Sequence, residues 1–252
     1  MSAGDKPRLE LPEPVVEHYP RNVAKQVICE LKFPALLDLE SSPPRELQAK
    51  LRHDFPHYEV GWSVSLDPGS STPRNEPNYL FRSRDKLWVY SLKASAMTLE
   101  TTRYVRFSEF LGKLNGIIDA SSKHLDLVFF TRVGLRYVNA VPAKQGDLEG
   151  WVNPALVSVL GEKRLGWKVE LFQEVRGYAK NGSYSFRHGI APNTQGNGDY
   201  IIDTDFYRED VELQDAKTVL TALNLESYGL FEWAIGERAR EYMRGKGPNA
   251  AV

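Results

Sequence analysis

What the sequence lacks narrows its chemistry more than what it contains. Cys29 is its single cysteine, so the chain can close no internal disulfide and supply no multi-thiolate metal site. It holds no Gly-x-x-x-x-Gly-Lys-Ser/Thr stretch and no Gly-x-Gly-x-x-Gly after a strand pattern, and the Gly196-Asn197-Gly198 turn is too short to cradle a phosphate. No His-Glu-x-x-His occurs. His53 and His57 have the i, i+4 spacing of helical metal ligands, but Pro56 breaks the helix that would put them on one face. No apolar run reaches the ~18 residues of a membrane-spanning helix, and the first residues carry prolines at 7, 12, 14 and 20 with scattered charge where a secretory signal would be apolar. Neither sign of charge dominates: 32 Lys and Arg stand against 33 Asp and Glu, so bulk attraction to nucleic acid or an anionic bilayer is missing. The expectation is a cytoplasmic protein with no cofactor, no metal and no membrane contact, on which nucleic-acid binding would need a local patch.

What the sequence does hold is 252 residues, 42% hydrophobic and 26% charged, ordinary proportions for a globular chain. Its centre is the run from Leu127 to Val141, rich enough in β-branched and aromatic residues for a strand. Period two places Leu127, Phe129, Thr131, Val133, Leu135, Tyr137, Asn139 and Val141 on a core face. The other face carries Arg132 and Arg136, roughly 13 Å apart at ~3.3 Å per residue, with Gly134 leaving a notch between them. The apolar flanks predict that both faces are covered, so each guanidinium needs an anionic partner. Two readings stay open: internal ion pairs to Glu30, Glu170, Glu174, Asp203 or Asp205, or an anion or partner site that Tyr137 and Asn139 help to form.

In chain order the pattern gives an extended lead-in (1–22), a strand over Val23 to Phe33, and a helix from Ser42 to Phe55 with a serine cap and early prolines. A strand over Tyr58 to Leu66 follows, then a long loop, Asp67 to Asn78, dense in Pro, Ser and Gly. Tyr79 to Arg82 and Leu87 to Leu92 form a hairpin that continues as a bent strand toward Thr101. An amphipathic helix then carries Phe107, Phe110, Leu111, Leu114, Ile117 and Ile118 on one stripe. After the central strand, Asn153-Pro154 starts a short helix, Trp167 to Tyr178 and Tyr184 to Ile190 flank a type I′ turn at Asn181-Gly182, and Asp199 to Tyr207 is a further strand. A helical pattern runs from Val211 to about Tyr242, bent or broken near Asn224 to Ser227, and residues 245–252 form a flexible tail. The reading is one α+β domain (23–244), an antiparallel sheet with helices packed on one side. The element order also suggests an internal duplication of a β-α-β-β-β-α unit, with halves at 23–125 and 126–244. Tyr79-Leu80-Phe81-Arg82 and Tyr184-Ser185-Phe186-Arg187 occupy the same hairpin slot in that scheme.

The central Arg132-x-Gly-Leu-Arg-Tyr-x-Asn139, with Tyr104-Val105-Arg106-Phe107 at a helix start and the early Glu30-Leu31-Lys32-Phe33 strand, resembles an uncharacterised, sporadically distributed bacterial protein family of about this length. The resemblance covers nearly the whole chain, and its specific motif is residues 132–139. It implies a cytosolic prokaryotic protein on a patchily inherited locus, a setting compatible with mobile or antiviral-defence loci, and brings no activity or catalytic residue.

Three chemistries remain to weigh. Glu30-Leu31-Lys32 has the Glu-x-Lys spacing of a metal-dependent nuclease, without the upstream aspartate, and Asp203 and Asp205 would put two carboxylates ~6.6 Å apart on one strand face. Ser183 or Ser185 near His188 lacks the strand-to-helix elbow of an acyl-transfer nucleophile. Tyr79, Phe81 and Arg82, with Tyr184, Phe186 and Arg187, offer aromatic platforms beside cations for single-stranded RNA or DNA, or else pack across strands with their arginines reaching solvent. The complete core and the absence of a full catalytic set lead to the expectation of a non-enzymatic binding or regulatory protein that engages a protein partner or itself. A nucleic-acid-associated protein is the alternative, and a nuclease the third reading.

Overall fold

The computed structural model describes residues 7–65, 74–143, 146–168, 170–191 and 198–245. Among them are nine strands and six helices. In order they are β1 (Ala24–Lys32), α1 (Asp38–Ser41), α2 (Arg45–Leu51), β2 (His57–Ser65), β3 (Arg74–Arg82), β4 (Trp88–Lys93), β5 (Ala96–Thr101) and α3 (Phe107–Leu125). There follow β6 (Phe129–Val141), α4 (Ser158–Gly161), β7 (Leu171–Tyr178), β8 (Ser183–Ile190), β9 (Tyr200–Glu212), α5 (Ala216–Ala234) and α6 (Glu237–Met243). The strands make one large antiparallel sheet in the order β2-β3-β4-β5-β1-β6-β9-β8-β7, so the fold is α+β. By internal contacts the chain divides into two compact units. Of the described residues, one comprises 27–135 and 208–220, the other 7–26, 136–207 and 221–245.

In the unit of β1 to β5, register brings alternate residues into rows. Cys29, Leu99, Tyr90, Phe81 and Tyr58 line up across β1, β5, β4, β3 and β2, and Leu31, Met97, Leu92, Tyr79 and Val60 form the next row. Period two puts both rows on one face. The helices lie on that face: Phe110 of α3 meets Trp88 at 5.8 Å between ring centroids, Phe55 meets Tyr90 at 6.5 Å, and the Tyr90 hydroxyl bonds Ser121 at 2.9 Å. The stripe read from sequence is the one α3 buries, through Phe110, Leu114, Ile117 and Ile118. Each such side chain contributes roughly 1.5–3 kcal/mol on burial. The opposite face carries Glu30, Ser91, Lys93 and Glu100, none of them buried.

The second unit repeats the logic. Tyr200, Ile202, Thr204 and Phe206 are buried beneath α5, with Thr204 and Ser227 hydroxyls 2.7 Å apart and the Phe186 ring 6.4 Å from Trp233. Asn153 caps a 3₁₀ turn over Pro154–Leu156 by accepting from the Ala155 amide at 3.0 Å, as its position before Pro154 suggested.

Several local expectations are corrected. α5 runs unbroken through Asn224 to Ser227, because the polar side chains that lower propensity there bond to the sheet; the break falls at Ile235-Gly236. β9 continues to Glu212, so the helical run begins at Ala216 and not at Val211. Leu87 to Thr101 is not one bent strand: β4 and β5 form a hairpin about Ala94-Ser95. Asn181 and Gly182 have no positive φ, which a type I′ turn requires at both; Ala179 to Gly182 is a four-residue connection closed by Ala179 N–H on Gly182 O at 2.8 Å. Ser42 does not cap α2, whose N-cap is Pro44 with no side-chain bond. The strand expected from Trp167 begins at Leu171. Residues 74–78 of the expected loop are strand, while 66–73 lie outside the described residues, as do 1–6, 246–252 and most of the Ala191 to Gly198 loop. Tyr79–Arg82 lies in β3 and Tyr184–Arg187 in β8, each the second strand in from its own end of the order.

Candidate functional site

The central arginines are both ion-paired, each with a carboxylate among the five read from sequence. Arg132 donates from Nη1 to Glu30 at 3.1 Å, and Glu30 also holds Lys32 at 3.5 Å. The same guanidinium folds over Gly134, where an added Cβ would sit 2.9 Å from Arg132 Cζ. The notch left by the glycine is therefore filled by the preceding arginine. Arg136 makes a two-pronged contact with Asp203, Nε to Oδ1 at 2.8 Å and Nη2 to Oδ2 at 2.6 Å, and the pair keeps the guanidinium charged. Asp203 has 10% of its side chain exposed but Arg136 44%, which corrects the expectation that both faces of this strand are covered. Tyr137 and Asn139 point the other way. Tyr137 donates to Asn224 on α5 at 2.7 Å, and Asn139 Nδ2 donates to Ile202 O at 3.3 Å, so they tie the strand into its unit.

The aromatic hairpin residues are mostly interior. Phe81 is 0% exposed, stacked at 5.4 Å on Tyr90, and Tyr79 is buried with its hydroxyl on Leu39 O at 2.9 Å. Phe186 is buried and stacked on His188 at 4.9 Å; Tyr184 is half-buried against Phe206 at 5.5 Å. Neither phenylalanine presents a face to a nucleobase: Phe81 packs across strands on Tyr90 and Tyr58, and Phe186 packs on His188 of its own strand and Trp233 of α5. Their arginines do reach solvent, Arg82 beside Glu59 at 3.4 Å and Arg187 over the Phe172 ring at 4.0 Å.

Sequence patterning missed the feature that most resembles a site. β2 ends the strand order, so one side of its backbone has no strand partner among the described residues. Tyr58, Val60 and Trp62 alternate along it and prolong the core rows of Phe81, Tyr79 and Pro77. Their exposure climbs along the strand, 37%, 44% and 69%. The reason is geometric: β3 pairs with β4 only from Tyr79 to Arg82, so the β2-β3 hairpin runs on past the sheet with residues 61–65 paired to 74–78 alone. From His57 to Ser65 the sequence has one formal charge, Glu59, and no lysine or proline, the usual guards of a free edge. The other edge is guarded. Arg8 bridges Tyr178 on β7, with Leu9 N–H on Tyr178 O at 2.7 Å, and Glu174 and Arg176 form an exposed pair at 2.7 Å along the same strand.

The lead-in is docked and clasped. Glu17 takes both prongs of Arg244, at 2.7 and 2.8 Å, Arg244 also reaches Glu237 at 2.8 Å, and Tyr19 donates to Glu232 at 2.8 Å. The Arg244 hydrogen bonds hold the Glu17 carboxyl below the usual range, Arg176 does the same for Glu174, and Arg164 brings Glu162 to about 2. Burial lowers His188, whose Nδ1 lies 2.7 Å from the Tyr200 hydroxyl. Every one of these is a depressed folded-state value, so its stabilisation is full above the unfolded pKa and disappears as pH falls. The melting temperature is expected to hold near neutrality, to begin falling below about pH 6.5 as His188 must charge, and to fall further below about pH 4.5. His188→Gln should remove the first stage and keep the second. A melting temperature level down to about pH 5 would contradict the assignment of the first stage.

No protein-family model matches the chain, and no curated protein matches it. Among the described residues no helix is long and apolar enough to cross a membrane, and no three His, Cys, Asp or Glu side chains group to hold a metal ion.

Proposed function

We propose that the protein is a binding or regulatory component that takes a polypeptide strand, from a protein partner or from itself, onto the β2 edge of its sheet. One observation carries the reading: an apolar row that is core in β1, β5, β4 and β3 continues as exposed Tyr58, Val60 and Trp62 on an edge strand. In strand addition the free main-chain groups give affinity and alternate side chains give specificity, and an exposed apolar stripe on such an edge is where that occurs. A nuclease draws less support, because Glu30 is shared by Arg132 and Lys32, and Asp203 is held by both prongs of Arg136. Nucleic acid keeps Arg82 and Arg187 as phosphate contacts but loses Phe81 and Phe186 as stacking platforms. The family resemblance supplies a setting, an accessory subunit of a mobile or antiviral-defence locus.

An internal duplication belongs to the same proposal. In one series β1 lies beside the last strand of a meander (β1-β5-β4-β3-β2), and in a second β6 does (β6-β9-β8-β7). Each series precedes a 19-residue helix, α3 or α5. On that equivalence β2 has no counterpart, which marks it as the strand added to the repeat.

The test is native mass spectrometry of the protein drawn gently from cells that also express its neighbouring genes, with and without nuclease. Wild type should carry added polypeptide mass that nuclease leaves in place, and Val60→Lys, which puts an edge-guarding charge in the stripe at a surface cost of about 0.5 kcal/mol, should not. Added mass that nuclease removes, or a bare monomer in both samples, would overturn the reading.

A further inference from the structure

We infer that the strand β2 accepts is β2 of a second copy, paired antiparallel about Val60. This rests on the strand-addition reading and names its occupant. The sequence His57-Tyr58-Glu59-Val60-Gly61-Trp62 is self-complementary about that residue. With a two-fold axis through the Val60 pair, Tyr58 of each copy stands opposite Trp62 of the other, on the same face as the two valines. Two aromatic pairs then flank an aliphatic one, and aromatic residues opposed across an antiparallel ribbon stabilise it. On the reverse face Glu59 meets Gly61 of the second copy, so the single charge of the strand faces no like charge and keeps Arg82, 3.4 Å away, as its own partner. Closed isologous pairing also uses up the edge that the fold leaves unguarded, whereas the β7 edge carries its own bridge from Arg8 and its own charges. The overhang of the hairpin beyond β4 leaves room for the approach, since residues 61–65 have only β3 beside them.

The register makes a sharp test with engineered cysteines in the full chain, because Cys29 is buried and does not compete. Directly opposed antiparallel residues have Cα atoms ~4.5–5.5 Å apart, inside the ~4.4–6.8 Å that a disulfide spans. Under mild oxidation Val60→Cys should cross-link to a covalent dimer. Tyr58→Cys and Trp62→Cys should each cross-link poorly alone and well when mixed, and Val175→Cys, exposed on the opposite edge, should stay monomeric. Sedimentation of wild type over a wide concentration range should show a dimer that Val60→Lys dissociates. Cross-linking of all four variants to the same extent would report collision and overturn the register. A monomer that still retains a different polypeptide in the mass spectrometry above would overturn the second copy and leave strand addition standing. A monomer that retains none would overturn both.

Discussion

Phe81→Ala is expected to cost about 3–5 kcal/mol of stability, the largest effect of any substitution considered for this chain. The side chain has no exposed surface and sits between two rings, 5.4 Å from Tyr90 and 5.3 Å from Tyr58, in a row that also holds Leu99 and Cys29. Truncation removes its transfer free energy and leaves a cavity that the sheet backbone, held in register on both sides, cannot close. The loss should appear as a lowered denaturant midpoint, with the tyrosine signal of Tyr90 changing in the same transition. Tyr58 would lose the ring that supports it, so self-association should weaken as well, through disorder of the stripe. A folded Phe81→Ala protein with an unchanged midpoint would mean that the ring is accessible, and would return it to the candidates for base stacking.

How much of this was legible in the sequence depends on whether local pattern or sheet order decided the outcome. The arginine pairs were legible, because a guanidinium in an apolar strand needs a carboxylate and the chain places few in neighbouring strand patterns; Glu30 and Asp203 were both among them. The stripe of α3 was legible from its period. The β2 edge was not. Tyr58, Val60 and Trp62 alternate as any half-buried strand does, and only the position of β2 at the end of the order turns a core face outward. The unbroken α5 was hidden for a related reason: Asn224 and Ser227 disfavour a helix by propensity, and their hydrogen bonds to Tyr137 and Thr204 override it. Tyr79 and Phe186 likewise read as equals of the flanking arginines until register placed the rings inward and the guanidinium groups at the surface.

Arg136→Ala is expected to destabilise the chain by about 2–3 kcal/mol. Deleting the guanidinium removes two charge-assisted hydrogen bonds of 2.8 and 2.6 Å and leaves Asp203, almost out of solvent, beside Asp205 on the same strand face. Stranding a buried charge in this way costs ~3–5 kcal/mol when both partners are dry. Arg136 is 44% exposed, so water that enters its place solvates part of the orphaned carboxylate and the cost falls below that range. The double variant Arg136→Ala/Asp203→Ala should then cost less than the sum of the single ones by about 1–2 kcal/mol, since neither charge is left alone. The cycle separates two roles for the central motif. Strong coupling in the stability of the isolated protein makes the pair an internal brace of the sheet. Unchanged melting in Arg136→Ala, together with loss of the second copy or of another polypeptide, would make this arginine part of the binding surface and move that surface away from β2.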